Sequence, residues 1–417
     1  MSTKSAGGNE ASHTAGALHG SSESTLRKTG IRSTRSGYLF NLILISFLAC
    51  ALFAAALIAA YALPVQDLAQ YWAAAHLVAK NPYSAQLVTG FEISHGIPAN
   101  SVHLVTKIPP WAIMLVLPLS LLNYQVSFAV WSVMSITVIA GCARATWTLF
   151  SSRPSLAPAL ISLLFGPTVV LLMLGQFTVL VLLGITLFLV LTRQRRDVLA
   201  GASLLLVVGK PHIALIFLIA VILWTVRFRR WSILVSGAIA LSAACIAAFS
   251  INHRIFAQFL ERTGLVVNET ESYPNLGGML FSASGHHILA LLPQCIGVVW
   301  LLVYWRKHGS DWDWKTNGMT VLLVSVTCSY YSYPYDEILM LPPLISAFLT
   351  GDRRLFLAGF LATNLGYVLY ISNFAGHYGF GYMSLWWTAS AWLITYVLAF
   401  KGRRLPDPML NQRSQVL

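Results

Sequence analysis

The sequence predicts an all-α, polytopic integral membrane protein. Three observations carry that prediction. Of 417 residues, 57% are hydrophobic and only 10% are charged, against about 25% charged in a soluble domain. Mean hydropathy is +0.69. The apolar residues are gathered into long runs parted by short polar or basic linkers, and a full span needs about 20 apolar residues. This composition excludes a water-soluble enzyme, a secreted disulfide scaffold and a disordered chain. Roughly 10–13 transmembrane or re-entrant helices are expected.

Residues 1–37 are Ser, Thr, Gly and Ala with scattered basic residues, too poor in apolar content to order themselves. They read as a disordered basic tail. The first apolar run, Tyr38 to Leu63, exceeds the about 7–15 residues of a signal-peptide core and is read as a retained first span. Further spans are expected at 125–149, 155–174, 177–192, 232–251, 286–305, 317–332, 337–350, 355–373 and 382–400. Together they give one membrane domain over 38–400, followed by a second tail at 401–417.

Charge placement orients these spans. Of the 27 Lys and Arg, all but Lys80, Lys107, Lys210, Arg254 and Arg262 lie in the N-terminal tail, the C-terminal tail or alternate linkers. The positive-inside rule puts those segments and both termini in the cytoplasm of a cell-membrane protein. The net charge of +13 is thus an orientation signal, and no nucleic-acid partner is expected. The outer face then collects 63–107, Gly175-Gln176, 209–211, 252–285, 332–336 and 374–381. Loops as long as 63–107 and 252–285 usually carry function.

Two stretches break the alternation. Residues 198–226 have arginines at both ends, so the chain must return to the side it left, and Gly209-Lys210-Pro211 interrupts them. Proline breaks an apolar helix, and a helical hairpin or re-entrant pair with Lys210 at the break is expected. Residues 108–122 hold Pro109, Pro110 and Pro118 and are short for a span; they are expected to re-enter from the outer side.

The polar residues stranded at these breaks are the candidates for chemistry. Asp67, Gln70, Tyr71 and Ala74 recur at i, i+3, i+4, i+7 and can share one helix face. Asp67 can be the N-cap of that helix and, compatibly with that, a general base at the membrane surface. A lone Lys at the centre of an apolar run costs about 2.5–3.5 kcal/mol, so Lys210 is expected to bind an anion or sit in a buried ion pair. Gln176 stands at another break, where interhelical hydrogen bonding is the plain alternative. Asp336 and Glu337 precede an apolar run and suit helix capping. His377 lies in a Gly- and Tyr-rich loop. The cysteines form no CxxC pair and read as buried apolar residues. No disulfide, metal site or cofactor is expected. Asp311-Trp312-Asp313 imitates the DxD of nucleotide-sugar enzymes but has no α/β domain around it. No P-loop, GxSxG or HExxH appears.

The order of these features resembles glycosyltransferase family 87. The residues that carry the resemblance are Asp67, Tyr71-Trp72-Ala73-Ala74, Asn81-Pro82-Tyr83, Ile108-Pro109-Pro110, Leu117-Pro118-Leu119, Trp131, Gly175-Gln176, Ala200-Gly201, Gly209-Lys210-Pro211 and Tyr333-Pro334-Tyr335-Asp336. The family is similar to mycobacterial polyprenol-phosphate-mannose-dependent mannosyltransferases of the GT-C class. The resemblance implies an inverting, metal-independent enzyme at the outer face. Its donor is a polyprenyl-phosphate sugar, mannose in the family's usual case, and its acceptor a glycolipid or glycan. It implies Asp67 as general base. Lys210 in the membrane layer, and Lys107, Arg254 and Arg262 nearer water, are then candidates for the donor phosphate. Tyr71, Tyr83, Gln176, Asp336 and His377 are candidates for substrate contacts, and Trp72 and Trp111 for an apolar wall. Asp336 remains the alternative base. Some relatives carry His where this chain has Tyr335-Asp336-Glu337; His286 and His287 are possible substitutes. A polytopic transporter or lipid-glycan flippase is the competing class, because such proteins also use broken helices and intramembrane Lys.

Overall fold

A computed structural model describes residues 51–59, 67–99, 101, 103–266, 273–376 and 381–401. Among these the chain is helical throughout and has no strand. Residues 51–59, within the first apolar run, are helical. The chain from Ala56 onward forms a compact unit that holds every later helix.

Among the described residues, five helices are long and apolar enough to cross a membrane: Tyr124–Phe150, Trp231–Ile251, His287–His308, Arg353–Ser372 and Met383–Phe400. Ala157–Leu163 and Gly166–Leu174 form a sixth, bent by 60°. Pro167 marks the bend, since it stands in the first turn of the second helix, where the missing N–H is harmless. Four shorter apolar helices, Pro110–Leu121, Thr178–Arg193, Asp197–Val207 and Leu215–Arg227, complete the set. The chain is a multi-pass membrane protein.

The long helices divide by what they face. Trp231–Ile251 buries only Ile233 and Ala248, so most of its apolar surface is left for lipid. Met319–Thr327 buries every residue except Thr320. Here the structure differs from the expected spans at 317–332 and 337–350. The first is a 9-residue helix after a π-turn. The second is a 3-10 turn, Pro334–Met340, followed by Leu341–Thr350. These short pieces lie in the protein core, where neighbouring helices rather than lipid cover them.

The 198–226 stretch is a hairpin. Asp197–Val207 runs in and Leu215–Arg227 runs out. The forked guanidinium of Arg230 grips the Asp197 carboxylate, with Nε to Oδ2 at 2.8 Å, so the two ends meet. Gly201 lets the first arm lie against Trp231–Ile251, because a Cβ there would sit 2.1 Å from the Ile233 carbonyl. Small residues allow such close approach in membrane helices.

The break at 208–214 frees backbone carbonyls, which membrane depth does not forgive. Three side chains from elsewhere in the chain meet them. Trp111 Nε1 donates to Val208 O at 3.0 Å. Ser325 Oγ donates to Ile213 O at 2.8 Å, and Ser329 Oγ to His212 O at 3.3 Å. The break is a built feature that holds Lys210 in place.

Candidate active site

Asp67 directly precedes Leu68–His76 with helical φ/ψ, and its side chain makes no cap hydrogen bond. The capping role allowed by the sequence is therefore not what it does. Its Oδ2 accepts a short hydrogen bond from Gln176 Nε2. Gln176 Oε1 accepts from Tyr71 Oη at 2.9 Å and from Lys210 Nζ at 3.3 Å. The amide thus points its donor at the carboxylate and its acceptor at the ammonium and hydroxyl, the only orientation that serves all three.

Gly175 sets this geometry. It ends Gly166–Leu174 in the left-handed region at φ 66°, which glycine adopts without a Cβ penalty. A Cβ there would also lie 2.8 Å from Leu68 Cβ. Gln176 is therefore aimed at the segment carrying Asp67.

Lys210 is 7% exposed. Its ammonium donates to Gln176 Oε1, to Thr178 Oγ1 at 2.9 Å and to Asp336 Oδ1 at 3.0 Å. An ammonium has three protons, so all are taken. Its charge also stands 4.9 Å from the Tyr335 ring centroid, a cation–π distance. Thr178 in turn donates a short bond to Asp336 Oδ1. Asp336 Oδ2 accepts the Tyr333 backbone N–H at 3.0 Å. Asp336 caps, as its position before an apolar run suggested, but within the 3-10 turn Pro334–Met340. Its main partner is Lys210.

The result is one continuous chain of bonds, Asp67–Gln176–Lys210–Asp336. Its two ends differ. Asp336 is wholly buried and engaged through both oxygens. Asp67 is half-buried, and its Oδ1 has no hydrogen-bond donor among the described residues. Burial lifts the Asp67 pKa from 3.8 to about 6, with Asp336 adding a little, while the Gln176 bond and Lys210 pull it back.

The other predicted residues lie elsewhere or serve other ends. Lys107 is half-buried and stands 5.9 Å from the Tyr331 ring, which touches His212, so it lies beside the network. Tyr83, Trp72 and Trp111 are fasteners. Tyr83 Oη donates to Ile108 O at 2.9 Å, and Trp72 Nε1 to Leu122 O at 2.9 Å. Arg254 is exposed before Ile255–Val266, and its side chain makes no described contact with the network. His286 and His287 are exposed, and His287 stacks on Phe281. His377 lies outside the described residues. Asp313 of the DxD look-alike caps its own turn through Lys315 N and Thr316 Oγ1.

Sequence reasoning missed Thr178 and Tyr335 as partners of Lys210. Thr178 had a weak signal, a hydroxyl two residues after the Gly-Gln break. It also missed why Glu337 is buried: Tyr367 and Trp392 donate to Oε2 at 2.6 and 3.0 Å, and Thr388 Oγ1 is 2.7 Å from Oε1. That acid ties the 3-10 turn carrying Asp336 to two later helices. Among the described residues no group of three or more His, Cys, Asp or Glu can hold a metal ion.

Helix breaks that hold a buried Lys and two carboxylates inside a multi-pass helical bundle define a membrane protein with a polar centre built for a reaction or a passage. The model of glycosyltransferase family 87 matches residues 108–329, more than half of the chain, and the protein belongs to that family. It is a membrane glycosyltransferase. The matched region includes Gln176, Thr178 and Lys210, while Asp67 and Asp336 flank it. No curated protein and no solved structure matches the chain.

Proposed function

We propose that this glycosyltransferase is of the GT-C class and works at the outer face of the cell membrane, with both termini cytoplasmic. It moves a sugar, mannose first among those to test, from a polyprenyl phosphate to a glycolipid or glycan acceptor. The transfer is metal-independent and inverts the anomeric centre.

The observation that carries the mechanism is the open oxygen of Asp67. A general base needs a lone pair within reach of the acceptor hydroxyl and a pKa not far below the working pH. Asp67 offers Oδ1 for that proton, and burial brings its pKa to about 6. Asp336 has no oxygen to spare. Gln176 fixes the rotation of the Asp67 carboxylate and passes it the charge of Lys210 through one amide. The acceptor oxygen then attacks the anomeric carbon as the lipid phosphate departs from the opposite face. Lys107 stands nearest that departing charge. Lys210 acts on it through space, since its protons are already committed. Arg254 and Tyr83 enter only if substrate draws their segments together.

The test uses purified full-length protein, radiolabelled polyprenyl-phosphate mannose and membrane acceptors. A new labelled glycolipid or glycan is expected with the wild type, and none with Asp67→Asn. Product from the Asn variant would remove Asp67 as the base. Movement of labelled lipid across vesicles without a new glycosidic bond would favour the flippase instead. External labelling of cysteines placed at 90 and 268 in intact cells tests the orientation.

A further inference from the structure

Thr178–Arg193 joins two regions of different chemistry. Thr178 touches Lys210 and Asp336. Arg193, fifteen residues on, lines a cavity of about 350 Å³. At 1.5 Å per residue the two are about 22 Å apart along the helix, most of the way through a hydrocarbon layer of about 30 Å. The cavity therefore lies far from the proposed active site, at the end where the basic linkers gather.

Its walls combine cations and aromatic rings. Arg193 spends one N–H on Leu149 O at 2.6 Å and has no acid partner among the described residues. Lys315 stands 5.1 Å from the Phe150 ring centroid, likewise without an acid. Arg230 is paired with Asp197 and lies 5.0 Å from the Trp224 ring centroid. The one acid in its lining, Asp313, caps the Trp314–Gly318 turn and is outnumbered by the three cations. The cavity is thus net positive. Trp312 and Trp314, which also line it, are 8% and 7% exposed. Their indole N–H groups have no acceptor among the described residues, which is rare for buried donors. Leu149 and Leu189 extend the apolar wall.

We propose that this cavity binds the phosphate headgroup of an anionic membrane lipid. Two unneutralised cations suit a phosphate. Indole donors beside an apolar wall suit the glycerol and first acyl carbons of a molecule anchored in the bilayer. Arg230 also begins Trp231–Ile251, the helix that leaves most of its surface to lipid, so a lipid on that surface has its headgroup at the cavity. A free phosphate would use the cations but leave the aromatic wall bare. The bound headgroup braces Arg193, the Arg230–Asp197 closure of the hairpin and the 311–318 turn. It does not depend on the proposed transfer reaction.

The test uses full-length protein in a neutral detergent. Short-chain phosphatidylglycerol, phosphatidylcholine or inorganic phosphate is titrated against tryptophan fluorescence and the thermal midpoint. Phosphatidylglycerol is expected to saturate both signals, and the other two to leave them near baseline. Arg193→Gln/Lys315→Gln is expected to raise the half-saturating concentration of phosphatidylglycerol at least tenfold. Lys315→Gln alone is expected to raise it about threefold, and it serves should the double variant not accumulate. Equal effects of phosphatidylcholine would overturn the headgroup assignment. A response to inorganic phosphate matching that of phosphatidylglycerol would overturn the lipid. Unchanged phosphatidylglycerol affinity in Lys315→Gln would overturn the site.

Discussion

Asp67 and Asp336 are tied to the same lysine, one through an amide and one directly, yet they are left with different capacities. Asp336 gives both oxygens to the protein and none of its surface to solvent. Asp67 gives one oxygen to Gln176 and keeps the other. A carboxylate whose bonds are all spent on folding has nothing to offer a substrate. One that is held by a single bond, partly desolvated and pointed, is oriented without being used up. The difference separates a fold-holding acid from a reacting one where residue type alone does not.

The sharpest way to break this contrast is to neutralise each acid. Asp67→Asn keeps an acceptor for Gln176 and removes the base, so transfer should fall by 10²- to 10⁴-fold. Stability should not fall with it. The folded pKa of Asp67, about 6, lies above the ordinary 3.8, so the folded state loses stability as pH rises through that window. At pH 7 the Asn variant escapes this cost. A lowered thermal midpoint at pH 7 would mean that Asp67 is a structural acid after all.

Removing Asp336 should do the reverse. Asp336→Leu leaves Lys210 buried and unpaired, and breaking one side of a buried pair costs about 3–5 kcal/mol. The double variant Lys210→Met/Asp336→Leu should recover much of that loss, because an apolar pair is often as stable as an ionic one. Chemical unfolding of the wild type and the two variants measures it. Stability equal to wild type in Asp336→Leu would show that the pair does not hold the hairpin break in place.

Gln176 is where the two acids communicate, so its removal should move one without unseating the other. Wild-type kcat/KM should fall tenfold per pH unit below about 6, as the base takes up its proton. The Gln176 bond favours the charged form. Gln176→Leu should therefore move this acid limb to higher pH and lower activity at pH 7 by about tenfold. A limb that stays in place would detach Asp67 from the pH profile.

Much of this centre is legible in the sequence, for one physical reason. A polar side chain inside an apolar run has to meet another, and Lys210, Gln176, Asp336 and Asp67 each stand at a break between such runs. The hairpin at 198–226 is legible because arginines at both ends force a return, which the Arg230–Asp197 pair then closes. What is not legible is which stranded group meets which. Thr178 and Asp336 are 158 residues apart, and Asp67 and Gln176 are 109. Nor does the sequence reveal that all three Lys210 protons are taken, since Thr178 resembles any residue of an apolar helix. Tyr83 shows the converse case. Its place in a family-like motif suggested a sugar contact, and the structure turns its hydroxyl to a backbone carbonyl.

That hydroxyl provides the mildest test of the contrast between holding and reacting. Tyr83 is buried, donates to Ile108 O at 2.9 Å and packs its ring on Phe259 at 5.4 Å. Burial raises its pKa, so it stays protonated and remains a donor. Tyr83→Phe keeps the ring and deletes one buried hydrogen bond, a loss of about 1 kcal/mol plus some cost for the orphaned carbonyl. Because Ile108 follows Lys107, the segment beside the network should loosen slightly. The variant should lose a little stability and raise the KM for the lipid donor at most threefold, with the acid limb of kcat/KM left near pH 6. A fall in kcat comparable to that of Asp67→Asn would place Tyr83 among the reacting groups and make the hydrogen bond to Ile108 a resting arrangement that substrate breaks.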